Sequence, residues 1–264
     1  MAARHSVLMF ISKGQCLTRR KGRALKIAAV VGALSAAATP ASDWPDFAPP
    51  RDALAPGIVS SIERVWSAPT LSRTVQGGSA PVPLATYDAF VDAPDVTAAA
   101  ARHLKLAAYQ VRVLDDDWYE ADDGHGARGV YRVVARTPTR CVILSWGRHS
   151  GGILGTISGS ALTVLDFEDL REAVGQKLTV YVLIENRVAA TLAKALAPIF
   201  GQFVDRKLTE GFRVTSRVAE WAVSRPDEFC PWLSGQGLAD ERARRLYAAV
   251  ECPRAPAVVT PPRP

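Results

Sequence analysis

The chain has 264 residues, with 32 Lys and Arg against 26 Asp and Glu, for a formal charge of +6 and a pI near 9.3. Charged residues make up 22% and hydrophobic residues 48%, which excludes a disordered or collagen-like chain and provides for a sizeable core. The length fits one domain, with or without an appendage.

The charge is unevenly placed. Seven basic residues (Arg4, Lys13, Arg19, Arg20, Lys21, Arg23, Lys26) precede the first acid, Asp43. Behind them comes an apolar run, Ile27 to Leu34, continued by small residues to Ala38. A basic stretch followed by a short apolar one is the layout of a secretory signal peptide, and the run is too short for a confident membrane span. Cleavage is expected near Ala41, with Ala38 as the other small-residue option and a retained signal anchor as the competing reading. The pair Arg19-Arg20 lacks the apolar residues that follow it in twin-arginine signals. Without residues 1–41, the remaining 25 basic residues face 26 acidic ones, a net charge of −1. The mature chain is thus expected to be periplasmic or secreted, and the electrostatic basis for binding nucleic acid disappears with the leader.

Residues 42–83 read as a Pro-rich, poorly ordered leader carrying one short helix, in which Ile58, Ile62, Val65 and Trp66 fall on one helical face. From Leu84 the apolar period is two (Ala85, Tyr87, Ala89, Val91), which predicts a half-buried strand. Asp95 then starts an alanine-rich helix over Val96 to Leu106. Further strands are predicted around Tyr109 to Val113, Tyr131 to Ala135, Cys141 to Gly147, Ile153 to Phe167 and Leu178 to Glu185, with a hairpin turn at Thr137-Pro138-Thr139. Gly155 and Gly159 mark a bulge or a close backbone approach. Short turn-bounded strands in succession form an antiparallel meander. The pattern from Arg187 to Ser224 is that of a long amphipathic helix, with Pro198 and Gly201 expected to kink or break it and Pro226 to end it. A short helix near Asp240 to Val250 and a disordered Pro-rich tail from Pro253 complete an α+β chain. The helix-grip unit is assigned to residues 84–224 and a helical extension to 225–252.

Reactive side chains are few. His103, His125 and His149 show no metal-ligand spacing, and the acidic residues near His125 (Asp115 to Asp117, Asp122, Asp123) are ordinary turn formers, so no metal site and no cofactor are expected. His149 and Ser150 are neighbours on a strand and point to opposite faces, which denies them a nucleophile–base contact. Residues Gly155 to Gly159 lack the nucleophile-elbow pattern. No catalytic residue is assigned, and the reading leans away from an enzyme. Cys230 and Cys252 form the natural disulfide pair in an oxidising compartment, while Cys141, in a strand-like run, reads as a buried thiol.

In its order of elements the stretch from about 84 to 224 resembles the START-like, or Bet v 1-like, helix-grip superfamily, in which an antiparallel meander grips a long C-terminal helix. That resemblance implies a space between sheet and helix for a lipid or other hydrophobic molecule. Tyr131 and Trp146 from the sheet, with Leu196, Phe200 and Phe203 from the helix, are the candidates to line it. The alternative is an envelope-associated interaction protein in which Val188 to Val204, charged only at Lys194, contacts a membrane surface or a partner protein.

Overall fold

The structure, a computed structural model, describes residues 44–150, 156–238 and 240–252; within these, the side chains of 187–189, 192–204, 206, 207 and 240 are not described. The expected signal peptide, its cleavage site at Ala41 and the tail from Pro253 lie outside the described residues. Seven antiparallel strands form one sheet: β1 (Leu71–Gln76), β2 (Gln110–Asp115), β3 (Trp118–Asp122), β4 (Ala127–Thr137), β5 (Arg140–Ser150), β6 (Thr156–Asp169) and β7 (Val174–Ile184). Their spatial order is β1-β7-β6-β5-β4-β3-β2, so a continuous meander from β2 to β7 takes β1 as its far edge. Among the described residues six α-helices accompany the sheet: α1 (Pro56–Ser67), α2 (Leu84–Asp92), α3 (Pro94–His103), α4 (Arg187–Ser224), α5 (Pro226–Ser234) and α6 (Asp240–Ala249). The chain is therefore α+β, with an antiparallel sheet gripping a long C-terminal helix.

The segment from Leu84 is a helix and not the expected strand. Its two-residue alternation rests on Ala85 and Ala89, which carry little amphipathic signal. The residues that are buried, Thr86, Tyr87, Phe90 and Ala93, follow helical spacing. Asp88 and Asp92, four apart, share one helix face and both pair with Arg136 of β4. The first strand lies earlier, at β1, within the segment expected to be a poorly ordered leader. With that exchange the order becomes strand, two helices, six-strand meander and long helix. The helix-grip unit therefore draws its edge strand from the segment assigned to the leader.

The leader itself is packed. Trp44, Phe47 and Leu54 join Ile58, Ile62 and Val65 of α1 in an apolar cluster against the outer face of the sheet, built on Val142, Leu144, Leu162 and Val164. Phe47 and Trp66 both meet the ring of Tyr181, at centroid distances of 6.0 and 4.9 Å. Burial of this order is worth about 1.5–3 kcal/mol for each large apolar side chain, which outweighs the loop propensity of the four prolines between Pro45 and Pro56.

The inner face carries the other core. Val75, Cys141, Phe167, Leu178 and Val180 from the strands meet Tyr87 and Phe90 of α2, Val96 and Ala100 of α3, and Leu208, Phe212, Val218 and Trp221 of α4. Helix α4 is continuous over 38 residues through Pro198, Gly201 and Gly211, so the expected break is not made. Pro226 ends α4 by starting α5, where its missing N–H falls in the first turn and costs nothing. Phe229 and Leu233 of α5 and Leu246 of α6 are buried in this same core, which makes the helical extension part of the domain. A Cys230–Cys252 disulfide ties α5 to the segment after α6, and a hydrogen bond from Thr86 Oγ1 to the Ala249 carbonyl, 2.8 Å, fastens the end of α6 against α2.

Candidate functional site

Strand pleating assigns each side chain to a face, and the register makes the assignment continuous across the sheet. On the inner face Tyr131 of β4 pairs with Ser145 of β5, Ser145 with Ala161 of β6, and Ala161 with Val182 of β7. The next inner row is Val133, Ile143, Thr163 and Val180. Trp146 belongs to the opposite parity: it pairs with Val130, points to the outer face, and stacks on Trp118 at 5.6 Å. Trp146 therefore cannot line a space between sheet and helix, contrary to expectation. The sequence shows its aromatic character but not its parity. Of the four other expected lining residues, Tyr131 is on the inner face, and the side chains of Leu196, Phe200 and Phe203 lie outside the described residues. The same holds for most of Val188 to Val204, the segment expected to reach a membrane or partner in the alternative reading. Among the described residues no helix is long and apolar enough to cross a membrane.

The two faces are sealed unequally. On the outer face Val142, Leu144 and Leu162 have no exposed surface and Val164 has 4%. Their inner-face neighbours on the same strands, Ile143, Ala161, Thr163 and Leu165, are only half-buried. Helix α4 lies toward the β1–β7 side: Arg73 of β1 pairs with Asp205, and Gln176 of β7 donates to Ser216 Oγ at 3.0 Å. The middle strands thus keep accessible apolar surface beneath and beside the helix.

Two tyrosines lie close to this surface. Tyr131 is surrounded deeply enough that burial pushes its phenol well above the ordinary range, with Tyr119 and Tyr109 adding to the effect. Burial likewise pushes Tyr109 up to about 12. Both residues nevertheless keep partial accessible surface. Tyr131 stacks on Tyr119 with centroids 5.0 Å apart. Tyr109 and Tyr119 had no place among the expected lining residues. For Tyr119 the alternation of Trp118 and Glu120 against Tyr119 and Ala121 was available as a strand signal, masked by the acidic turns on both sides.

A row without side chains crosses the inner face beside these tyrosines. Gly129 of β4 pairs with Gly147 of β5, which pairs with Gly159 of β6. A Cβ on Gly159 would stand 2.6 Å from the Leu183 carbonyl oxygen, and one on Gly129 2.4 Å from that of Trp146, so neighbouring backbones approach closely at these positions. Gly159 thus marks the close approach expected of it, without a bulge in the β5–β6 pairing. Gly155 lies outside the described residues.

The remaining polar groups have structural roles. Arg136 holds Asp88 and Asp92, tying α2 to the sheet end, with its guanidinium 5.9 Å from the Phe167 ring centroid. The Tyr87 hydroxyl donates to Gln176 Oε1 at 2.9 Å, and Gln176 passes the chain to Ser216. His103 lies against Trp221 and Trp232. Ser150 faces away from His149, and its Oγ is 3.1 Å from Thr156 Oγ1. Asp122 and Asp123 accept from the backbone N–H groups of their own turn, closed by Gly124 and Gly126 at positive φ. Among the described residues no group of three metal-ligating side chains converges. Cys141 is a buried thiol that burial pushes up to about 12.

No protein-family model and no curated protein matches the sequence. Solved structures do resemble it. A conserved protein from Geobacillus kaustophilus superposes with a TM-score of 0.42 at 15% identity, over 57% of this chain and 93% of that one. A START superfamily protein from Mycobacterium smegmatis gives 0.33 at 11% identity over 53% and 93%. The protein Ara h 8.0201 gives 0.32 at 15% identity over 55% and 99%. The antiparallel meander and long C-terminal helix of this chain are the helix-grip arrangement.

Proposed function

We propose that this chain is an exported, non-catalytic protein that binds a hydrophobic small molecule or lipid between the inner face of its sheet and α4. The observation that carries the reading is the difference between faces. The outer side chains Val142, Leu144, Leu162 and Val164 of β5 and β6 are sealed beneath α1 and the segment before it, whereas the inner Ile143, Ala161, Thr163 and Leu165 keep accessible surface. Residues packed for stability alone have no reason to stop short of closure, since unfilled apolar space forfeits dispersion contacts. The small and aromatic lining, including Ala161, Tyr131 and the glycine row, supplies apolar walls with few polar groups, as hydrophobic ligand sites require. Export rests on the basic and apolar N-terminal layout and is supported by a disulfide within the domain.

The test is to purify the mature chain, extract it with organic solvent, and identify co-purifying molecules by mass spectrometry. A stoichiometric hydrophobic compound is expected. A clean protein that also ignores lipid vesicles and the neutral probe Nile red would sink the reading.

A further inference from the structure

Helix α1 covers only part of the outer face, since its main contacts are with β6 and β7. Beside it, the register sets three neighbouring outer rows across β3, β4 and β5: Trp118 with Arg132; Glu120, Val130 and Trp146; Asp122, Arg128 and Arg148. Trp118, Arg132 and Trp146 are half-buried, and Arg128 and Arg148 are exposed. The two indoles stack with centroids 5.6 Å apart and planes 13° from parallel, and the Arg132 guanidinium lies 5.6 Å from the Trp118 centroid.

The charges of this patch do not balance. Arg128 pairs with Asp122 at 2.7 Å, and Glu120 is taken by Arg112 of β2 at 2.8 Å. Arg132 and Arg148 have no carboxylate partner among the described residues, and Arg132 Nε is enclosed without a hydrogen bond. Arg148 also stands directly opposite Arg128, a like-charge pairing that costs stability unless an anion is near. Neither Trp118 nor Trp146 gives its indole N–H to an acceptor among the described residues. These rows therefore present cations and N–H donors beside apolar ring surface, with no spare carboxylate. The chain after residue 41 has a net charge of −1 and no overall attraction to anions, so the surplus is local. Its shape narrows the occupant. Arg132 and Arg148 are about 14 Å apart along the strands, with Trp146 in the row between, a spacing for several anionic groups and not for one small ion. A peptide needs a sheet edge or a groove. Strands β3, β4 and β5 are each paired on both sides, and the outer face of a sheet that grips a helix on its other side is convex. Indoles among arginines are the composition of an interfacial anchor, where phosphates and ester carbonyls accept from both.

We infer that the outer face of β3 to β5, centred on Trp118, Trp146, Arg132 and Arg148, docks the protein onto an anionic phospholipid surface, with the indoles among the headgroups and the arginines on phosphate. This face is opposite to the one assigned to the hydrophobic ligand, so the docking does not depend on that assignment.

The experiment is vesicle flotation with the chain from Ser42, which holds both cores and leaves out the basic leader that would bind anionic lipid by itself. Vesicles of phosphatidylcholine with about 30% phosphatidylglycerol should bind it at least about tenfold more tightly than phosphatidylcholine alone. Arg148→Gln should weaken binding to the anionic vesicles about fivefold, and the double variant Arg132→Gln/Arg148→Gln about thirtyfold. Arg245→Gln removes the same charge from an exposed position on α6 and should change binding by less than about twofold. Trp146→Leu should weaken binding about fivefold, with circular dichroism confirming its fold. Equal binding to the two vesicle types, or an Arg148→Gln loss no larger than that of Arg245→Gln, would overturn the docking face. A Glu-rich peptide that binds the wild type where vesicles do not would overturn it in favour of an acidic protein partner. Nile red binding by the same variants reports on the inner face alone, and its failure leaves the docking face standing.

Discussion

Ala161 and Leu162 are adjacent on β6 and face opposite ways, and opposite consequences are expected from changing them. Leu162 has no exposed surface and is packed beneath α1, so Leu162→Ala opens a cavity in a closed core and should cost about 2–5 kcal/mol. For a chain of this length each kcal/mol lowers Tm by about 2–4 °C, so a loss of roughly 7–14 °C is expected at the middle of that range. Ala161 stands between Ser145 and Val182 on the half-buried inner face. In a closed core Ala161→Phe would be overpacked, at about 1–3 kcal/mol or more. In an accessible space the phenyl ring instead takes the ligand's place, and stability should change by less than about 1 kcal/mol, while Nile red affinity falls at least about tenfold. Urea titration and thermal unfolding give the first quantity and fluorescence titration the second. If Ala161→Phe destabilises the chain as much as Leu162→Ala, or binds the probe as well as the wild type, the inner face is solid core and the reasoning about the two faces is refuted.

Three further outcomes follow from other parts of the molecule. Gly159→Ala places a Cβ 2.6 Å from the Leu183 carbonyl and should destabilise by about 1–3 kcal/mol, whereas Gly57→Ala in α1, with nothing within 4 Å, should stabilise by about 0.5–1 kcal/mol; equal effects in chemical unfolding would contradict the close approach. The Cys230–Cys252 bridge closes a loop of sequence separation 22, so the double Cys→Ser variant should lose about 3 kcal/mol, and a reductant should reproduce the loss in the wild type but not in the variant. Burial raises the Asp88 carboxyl above its ordinary 3.8, with Arg136 pulling the other way. Because the folded value lies above the unfolded one, the contribution of this group is fully present below 3.8 and is lost as pH rises through the folded value. The stability of the wild type relative to Asp88→Asn should therefore decline as pH rises above about 3.8 in urea unfolding, and a rising difference would reverse the assignment.

Much of the architecture is legible in the residues because it rests on local periodicity. The three-and-four spacing of Ile58, Ile62 and Val65 is enough to place α1, and the alternation or apolar runs of β4 to β7 require no partner to be recognised. The cysteine pair of the C-terminal part is likewise readable from its isolation and spacing. Periodicity fails where small residues blur it. Ala85 and Ala89 let α2 pass for a strand, and β1 alternates polar residues around a single buried Val75. Proline signals in the leader and at Pro198 are overridden by packing and by helix continuity.

Net charge, the basic-then-apolar layout of the N-terminus and the α+β class were determined by the sequence by itself, since each depends on residue identity or on neighbours along the chain. Only the tertiary structure decided what shares a face. Strand register is a long-range property: a shift of one residue moves every side chain to the other side, so Trp146 and Tyr131, fifteen apart in the chain, are assigned to opposite faces only once β4 is paired with β5. The same pairing aligns Gly129, Gly147 and Gly159 into one row and brings His149 to Ala127, beside the turn that holds Asp123.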